Sequence, residues 1–388
     1  MNQFHRALPC IGNSNHRTMA PSASQQTGVT MVELLVALVI SLLIATAAIT
    51  ALTMTQRGFR TVDAASQLRD NARFTSDLIQ RLGVQTGFKD SWYAGRAANA
   101  AESNADAAPN IFGFNNATSS ASDPLNSATT RTVGVVGYGS DILVLRNQLV
   151  RLNDSSGDAD GSMIDCSGNN PSVSAAPSTR AERMSSILSV AISAGEPSLM
   201  CTWLSNSGTW QTQPIIQGVE NFQVLYGTDG VTAGAAPPIT YGLTADAPPP
   251  AALTIITPSP RTAADDAALV AWKSAWAAWA ASINQVPGAY FRADQLTVAG
   301  DPKSTNANWR RVRSLRIGMI LRGPPNSSQE SVAQTLYPFG PAKSSASGSA
   351  GSALSSTNDP GTIFSAAADG RLRQIVTFIV HLRNDQGM

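Results

Sequence analysis

Few residues in this chain of 388 combine the types and spacing that chemistry needs. Its three histidines are His5, His16 and His381, and the first two lie in the N-terminal 28 residues. His381 falls in a predicted strand rather than beside a nucleophile on a turn, so a Ser/His/Asp site is not expected. One histidine and the distant Cys166 and Cys201 do not assemble a zinc site. The run Asp154 to Gly161 has the composition of a calcium loop, but it lacks the bidentate Glu that an EF-hand needs at its last position, and it reads as a solvated turn. No Gly-rich phosphate loop with its Lys occurs, so the chain is not expected to hydrolyse ATP. The sequence therefore predicts no enzyme activity, no catalytic residue, no metal and no cofactor. Three features remain: Glu33 at the entrance to an apolar run, the Cys166 and Cys201 pair, and a tryptophan stripe.

Glu33 precedes Leu34 to Leu52, a stretch without a charge in which only Ser41, Thr46 and Thr50 are polar. Their hydroxyls can fold back onto helix carbonyls. A helix over residues 29–53 would be about 37 Å long, enough to cross a hydrocarbon core of about 30 Å. A carboxylate near the centre of such a helix costs roughly 2.5 to 3.5 kcal/mol, and less near an end. Either Glu33 snorkels to the headgroups, or it is buried and neutralised by a cation in the same low-dielectric layer. In the second case a neighbour's N-terminal amine could serve, and Glu33 would set the register between subunits.

The preceding residues contain Arg6 and Arg17, no acidic residue, and a small polar run from Ser22 to Gly28. They read as a leader. A secretory signal is cut after its apolar core of roughly 7 to 15 residues; here the apolar run is longer, and the processing candidate Gly28 stands before it. A cut there keeps the helix on the mature chain, with Val29 first and Glu33 fifth.

At these residues the chain resembles the type IV pilin superfamily. The resemblance implies that a prepilin peptidase cleaves after Gly28 and methylates the new amine of Val29, where most members carry Phe. It also implies that Glu33 acts in assembly.

Cys10 lies in the leader, so the mature chain keeps Cys166 and Cys201, either as a disulfide or as two buried thiols. An oxidising compartment favours the bond, which is typically worth about 3 to 4 kcal/mol. Removing Arg6 and Arg17 with the leader takes the formal charge from +1 to −1, before the new amine is counted. A near-neutral chain is not built to bind nucleic acid, which needs a basic surface.

The elements that must position these features begin with one long helix. Its second half carries Phe59, Val62, Leu68, Phe74, Leu78 and Leu82 as a one-sided apolar face, and it is expected to stop near Leu82-Gly83. Strands are predicted at 132–136, 141–147, 214–226, 312–321 and 373–383 from their branched and aromatic residues. In the fourth, Leu315, Ile317, Met319 and Leu321 alternate with Arg316, Gly318 and Ile320, as in a strand with one buried face. The expected fold is α+β, type IV pilin-like, with a long N-terminal helix on an antiparallel sheet. The expected divisions are leader 1–28, assembly half 29–55, amphipathic half 56–83 and head 84–388.

The blocks Gln217 to Gly227, Trp309 to Ile317 and Arg373 to Asn384 resemble the head of PilW-type minor pilins. Between the first two stands a long Ala/Pro-rich insertion at about 228–300. Within it a predicted helix sets Leu269, Trp272, Trp276, Trp279 and Ile283 at spacings of three and four. The stripe formed by Trp272, Trp276 and Trp279 either covers the head's own core or meets a partner. Residues 97–130 and 342–357 are too polar to pack and read as surface loops.

The resemblance implies a structural subunit of a type IV pilus that joins other minor pilins, the major pilin and a large tip adhesin in priming fibre growth, adhesion and twitching motility. It would sit in the inner membrane with its head in the periplasm, and afterwards in the surface fibre. The alternatives are a J-like minor pseudopilin of type II secretion and a bitopic membrane-anchored binding domain.

Overall fold

The structure, a computed structural model, describes residues 28–88, 108–150, 152, 159–169, 183–237, 263–283, 289–341, 356 and 358–384, with the backbone alone for 277–283. The predicted leader up to residue 27, most of the calcium-like loop and much of the insertion lie outside the described residues. The chain divides into two compact units at Gln56 and Arg57.

Helix α1 spans Met31–Gln85. In the first unit every described residue is exposed, and the segment is long and apolar enough to cross a membrane. The small polar residues do fold back onto helix carbonyls. Ser41 Oγ donates to Ala37 O at 2.7 Å and Thr50 Oγ1 to Thr46 O at 2.8 Å, so the segment offers no unsatisfied hydroxyl to an apolar surrounding.

In the second unit α1 buries Ala64, Leu68, Ala72, Thr75, Ile79 and Leu82, at spacings of four and three. Of the predicted face, Leu68 and Leu82 are buried and Leu78 packs on the core, whereas the other three residues face outward. Phe59, Val62 and Phe74 are 71, 67 and 54% exposed; the helix turns its small residues inward, where they permit close approach, and its aromatics outward. The helix ends at Gln85, near the expected stop at Leu82-Gly83. Gly83 stays helical because it is a packing site: a Cβ there would fall inside van der Waals contact with Val380 Cγ1.

The strands, all antiparallel in their pairings, are β1 (Ile111–Phe114), β2 (Ala117–Thr118), β3 (Thr129–Thr130), β4 (Ile142–Asn147), β5 (Met184–Ser193), β6 (Glu196–Leu204), β7 (Trp210–Gln217), β8 (Val219–Thr228), β9 (Ala289–Phe291), β10 (Val312–Arg322), β11 (Gln334–Leu336), β12 (Phe364–Ala366) and β13 (Arg373–His381). The other α-helices among the described residues are α2 (Ala263–Ile283) and α3 (Pro302–Trp309), and short 3-10 turns lie at Pro124–Asn126 and Asp294–Leu296. The strands form a five-stranded sheet, β1-β4-β5-β6-β7, a four-stranded sheet, β13-β10-β8-β9, and two ribbons, β2-β3 and β11-β12. A core shared by both sheets includes Leu145, Leu188 and Leu199 of the first, Phe222, Tyr226 and Ile317 of the second, and Leu68, Ile79 and Leu82 of α1. Tyr226 meets Trp309 edge to face at 4.7 Å.

Three predicted strands are corrected. Residues 132–136 are turns, because Gly134, Gly137 and Gly139 take φ of 89°, 74° and 85° and override the branched residues between them. The predicted strand 214–226 is two strands divided at Gly218, whose φ is 86° and whose missing side chain lets Arg322 O approach. Gly218 hands the chain from one sheet to the other, donating its N–H to Pro197 O and accepting from Arg322 N, both at 2.7 Å. The last strand ends at His381 rather than Arg383. In β10 the expected alternation breaks at Gly318 and Ile320, which are buried as well; the segment Pro338-Phe339 packs over Gly318 and covers that face.

Around Gly218 the sheets are joined by charge. Arg322 binds Glu196 at 2.6 Å and Glu220 at 3.1 Å, Arg373 binds Glu220 at 2.6 Å and Asp369 at 2.7 Å, and Arg371 binds Glu196 at 3.0 Å. Three guanidinium groups face three carboxylates, so the half-buried cluster is neutral. Burial lowers the proton affinity of Arg373, yet its hydrogen bonds to Glu220 and Asp369 hold the pKa above the ordinary arginine value.

Gly83→Val should destabilise the full chain in detergent by about 1 to 3 kcal/mol through overpacking against β13. Adding Val380→Ala should recover part of that loss in urea unfolding.

Candidate functional site

The N-terminal candidate residues lie together. Gly28 and Val29 precede α1 and are exposed, which leaves the bond between them open to a peptidase. Thr30 is the residue that sequence reasoning passed over. Its backbone N–H and Oγ1 donate to Glu33 Oε2 at 2.9 and 3.0 Å, and Glu33 N–H donates back to Thr30 Oγ1 at 3.3 Å. This is a capping box, and its signal, Thr-x-x-Glu before an apolar run, is legible in the sequence. Thr30 is the hydrogen-bond partner of Glu33 among the described residues. The carboxylate also sits at the positive end of the helix dipole, where a negative charge is stabilised. The capping box thus fixes the Glu33 carboxylate against Thr30 at the helix N-terminus.

Cys166 and Cys201 form a disulfide with Cα atoms 5.7 Å apart. Both are buried. Cys201 lies in the middle of β6, opposite Leu188 of β5 and Gln213 of β7, and Cys166 N–H donates to Ser186 Oγ at 3.0 Å. The bond ties the 159–169 segment to the first sheet. Gln85 of α1 reaches the same segment, accepting from Ile164 N–H at 2.9 Å.

Of the tryptophan stripe, Trp272 and Trp276 are half-buried on α2 with ring centroids 5.8 Å apart. The side chain of Trp279 lies outside the described residues. No residue of α2 whose side chain is described is fully buried, so the two rings are not part of the main core.

A buried carboxylate pair was not foreseen, because its members come from separate elements. Asp141, just before β4, accepts from Asn116 N–H at 2.9 Å and Val224 N–H at 2.8 Å. The Asn115 amide, oriented by its network, donates to Asp141 Oδ1 at 3.0 Å and Asp359 Oδ1 at 3.2 Å. Burial raises Asp141 well above the usual carboxylate range, and the Asp359 charge adds to it, against the two backbone donors. Burial pushes Asp359 up to about 6, with Arg292 and Asn115 opposing. The pair locks the β1–β2 turn and the 358–362 turn onto the head. Among the described residues no group of three or more His, Cys, Asp or Glu is gathered as a metal ion would need.

The family model described as type IV pilus-assembly protein W matches residues 188–384, and the prokaryotic N-terminal methylation motif matches residues 23–49. Among solved structures the chain is similar to a type IV-like pilin from Thermus thermophilus, at 12% identity and a TM-score of 0.31, over 82% of this chain and 97% of that one. No curated protein matches.

Two outcomes follow from the head's geometry. Cys201→Ser should lower the stability of the full chain by about 3 to 4 kcal/mol, read from urea unfolding under non-reducing conditions. Because the folded-state pKa of Asp359 is raised, its contribution is full below about pH 4 and is lost as pH rises to about 6. The wild type should therefore unfold more readily at pH 7.5 than at pH 4.5, by an amount of order 2 kcal/mol, and Asp359→Asn should flatten that slope.

Proposed function

We propose, from the premise that this chain belongs to the type IV pilus-assembly protein W family, that it is a minor pilin placed in the complex that starts fibre growth. The observation that carries the reading is the first half of α1: apolar, exposed along its whole length, and opened by a fixed carboxylate five residues into the mature chain. Such a surface is stable in lipid or against the same surface of neighbouring subunits. Moving between them exchanges one apolar surrounding for another, at little cost.

In this reading the basic leader stays in the cytoplasm, α1 crosses the inner membrane, and the head lies in the periplasm until the subunit enters the fibre. Prepilin peptidase cuts between Gly28 and Val29 and methylates Val29. Glu33 then meets the methylated amine of a neighbouring subunit, and a subunit docked at the wrong height leaves that amine unpaired and Glu33 with its Thr30 cap alone. The apolar Phe59 and Val62, exposed just beyond the first unit, extend the contact surface along the neighbouring helices. The role is structural rather than catalytic, and the partners are other minor pilins, the major pilin and a large tip adhesin.

Intact mass and N-terminal sequencing of the chain from membranes and from sheared fibres test this directly, and three variants separate the tasks of Glu33. Glu33→Ala removes both cap and charge, Glu33→Gln keeps the box and removes the charge, and Thr30→Ala weakens the cap by about 0.5 to 2 kcal/mol. Methylated Val29 in both fractions is expected, with Glu33→Ala and Glu33→Gln depleted from fibres and Thr30→Ala retained. Retention of Glu33→Gln at the wild-type level would reduce Glu33 to a helix cap, and an intact leader with no fibre-borne chain would sink the pilin reading.

A further inference from the structure

The two main sheets have four edges, and three of them are protected. β1 and β9 have four and three residues, and β7 carries Pro214 and pairs with β6 through a register shift. Short strands, proline and bulges are what keep an edge from pairing with another chain. β13 has none of these. It runs nine residues, Arg-Gln-Ile-Val-Thr-Phe-Ile-Val-His, rich in branched side chains and without Pro or Gly.

Which of its backbone groups are free follows from the pairing with β10. Leu382 N–H donates to Arg313 O at 3.0 Å and Gly323 N–H to Leu372 O at 2.8 Å. With the register Val380 to Leu315 and Gln374 to Leu321, the even-numbered residues bond inward. Ile375, Thr377, Ile379 and His381 therefore turn their N–H and C=O groups away from the sheet, and their side chains are exposed. Among the described residues none of these eight backbone groups has a hydrogen-bond partner. A row of alternating donors and acceptors beside Ile375 and Ile379, 39 and 44% exposed, fits one kind of partner, an extended strand.

Charge decides whose strand. Antiparallel pairing of β13 with a second copy, centred on Thr377, would bring Arg371 toward Arg383 just beyond each end of the strand and would supply Arg383 with no anion. Arg371 already has Glu196, whereas Arg383 is exposed and has no ion pair among the described residues.

We propose that β13 is an assembly edge that accepts a β-strand from a neighbouring pilin subunit of a different kind, with branched residues beside Ile375 and Ile379 and an acidic residue facing Arg383. The inference rests on the pilin reading and adds to it a second contact, in the head, that fixes which subunit sits beside this one.

The test places a photo-cross-linking amino acid at Ile379 of the full-length chain in the native cell and identifies the adduct by mass spectrometry, with Ile379→Pro and Arg383→Glu variants carrying the cross-linker at Thr377. Proline at 379 gives up an outward N–H and no bond to β10, so the melting temperature should stay at the wild-type value. An adduct to an edge strand of another pilin is expected, falling about tenfold or more with Ile379→Pro and also weakened by Arg383→Glu. A processed, fibre-borne chain that gives no adduct, or one only to a second copy of itself, overturns the proposal and leaves the pilin reading standing. A chain with an intact leader and no place in fibres overturns both.

Discussion

The governing constraint on the molecule is an apolar helical surface that is exposed at every described residue of the first unit. From Met31 to Gln56 α1 is exposed on all sides, and its hydroxyls are turned onto its own carbonyls. A soluble fold would bury such a helix; this one leaves it for lipid or for other subunits. The constraint separates the chain's tasks. The first unit must suit two apolar surroundings, so it carries no feature except Glu33, while the second must hold its shape in water.

The head meets that demand with redundant ties around the points where the chain changes sheet. Gly218 passes the backbone from β7 to β8, and the Arg322, Arg371 and Arg373 cluster closes over the same corner with Glu196, Glu220 and Asp369. The disulfide holds the 159–169 segment to β6, and Asp141 holds two turns to the centre. Apart from the local pairs of Asp369 with Arg371 and Arg373, these ties join residues distant in sequence, as expected for a head built from antiparallel strands whose neighbours are not all consecutive. Such a head can lose loops or gain insertions, such as the stretch carrying α2, without losing its frame.

The helix, β4, β10 and β13 were legible in the sequence because each is a local pattern, and so was the N-terminal processing segment. What escaped was non-local or set by single glycines. Residues 132–136 have the composition of a strand, but three glycines with positive φ decide otherwise. The strand expected over 214–226 hid a change of sheet, because nothing beside Gly218 in sequence marks Arg322 as its neighbour. β5 and β6 were missed since their hairpin turns at Ala194 and Gly195, with φ of 50° and 79°, rather than at the Asn-Gly that usually announces one. Leu68, Leu78 and Leu82 of α1 face the core as expected, but Phe59, Val62 and Phe74 were misplaced by ranking residues on hydrophobicity. Ala64 and Ala72 face inward because they are small, a property that matters once a sheet is packed against them. The family match from residue 188 onward adds what the N-terminal motif could not, placing the head with pilus assembly rather than with secretion.

The capping box changes what docking must achieve. A bare carboxylate in an apolar layer would be costly, and the subunit waiting in the membrane would carry that cost until it found a partner. Glu33 does not wait bare: it accepts two hydrogen bonds from Thr30 and lies at the helix N-terminus, so its charge is already partly met. An incoming amine therefore does not rescue a strained ion. On the proposed reading it would join an existing arrangement in which both Thr30 donors are on Glu33 Oε2. The gain from correct docking is smaller than for an unpaired charge, while the penalty for wrong docking falls on the amine, which has no such cap. On the proposed reading, register would then be set by the neighbour's amine meeting a Glu33 already held by Thr30.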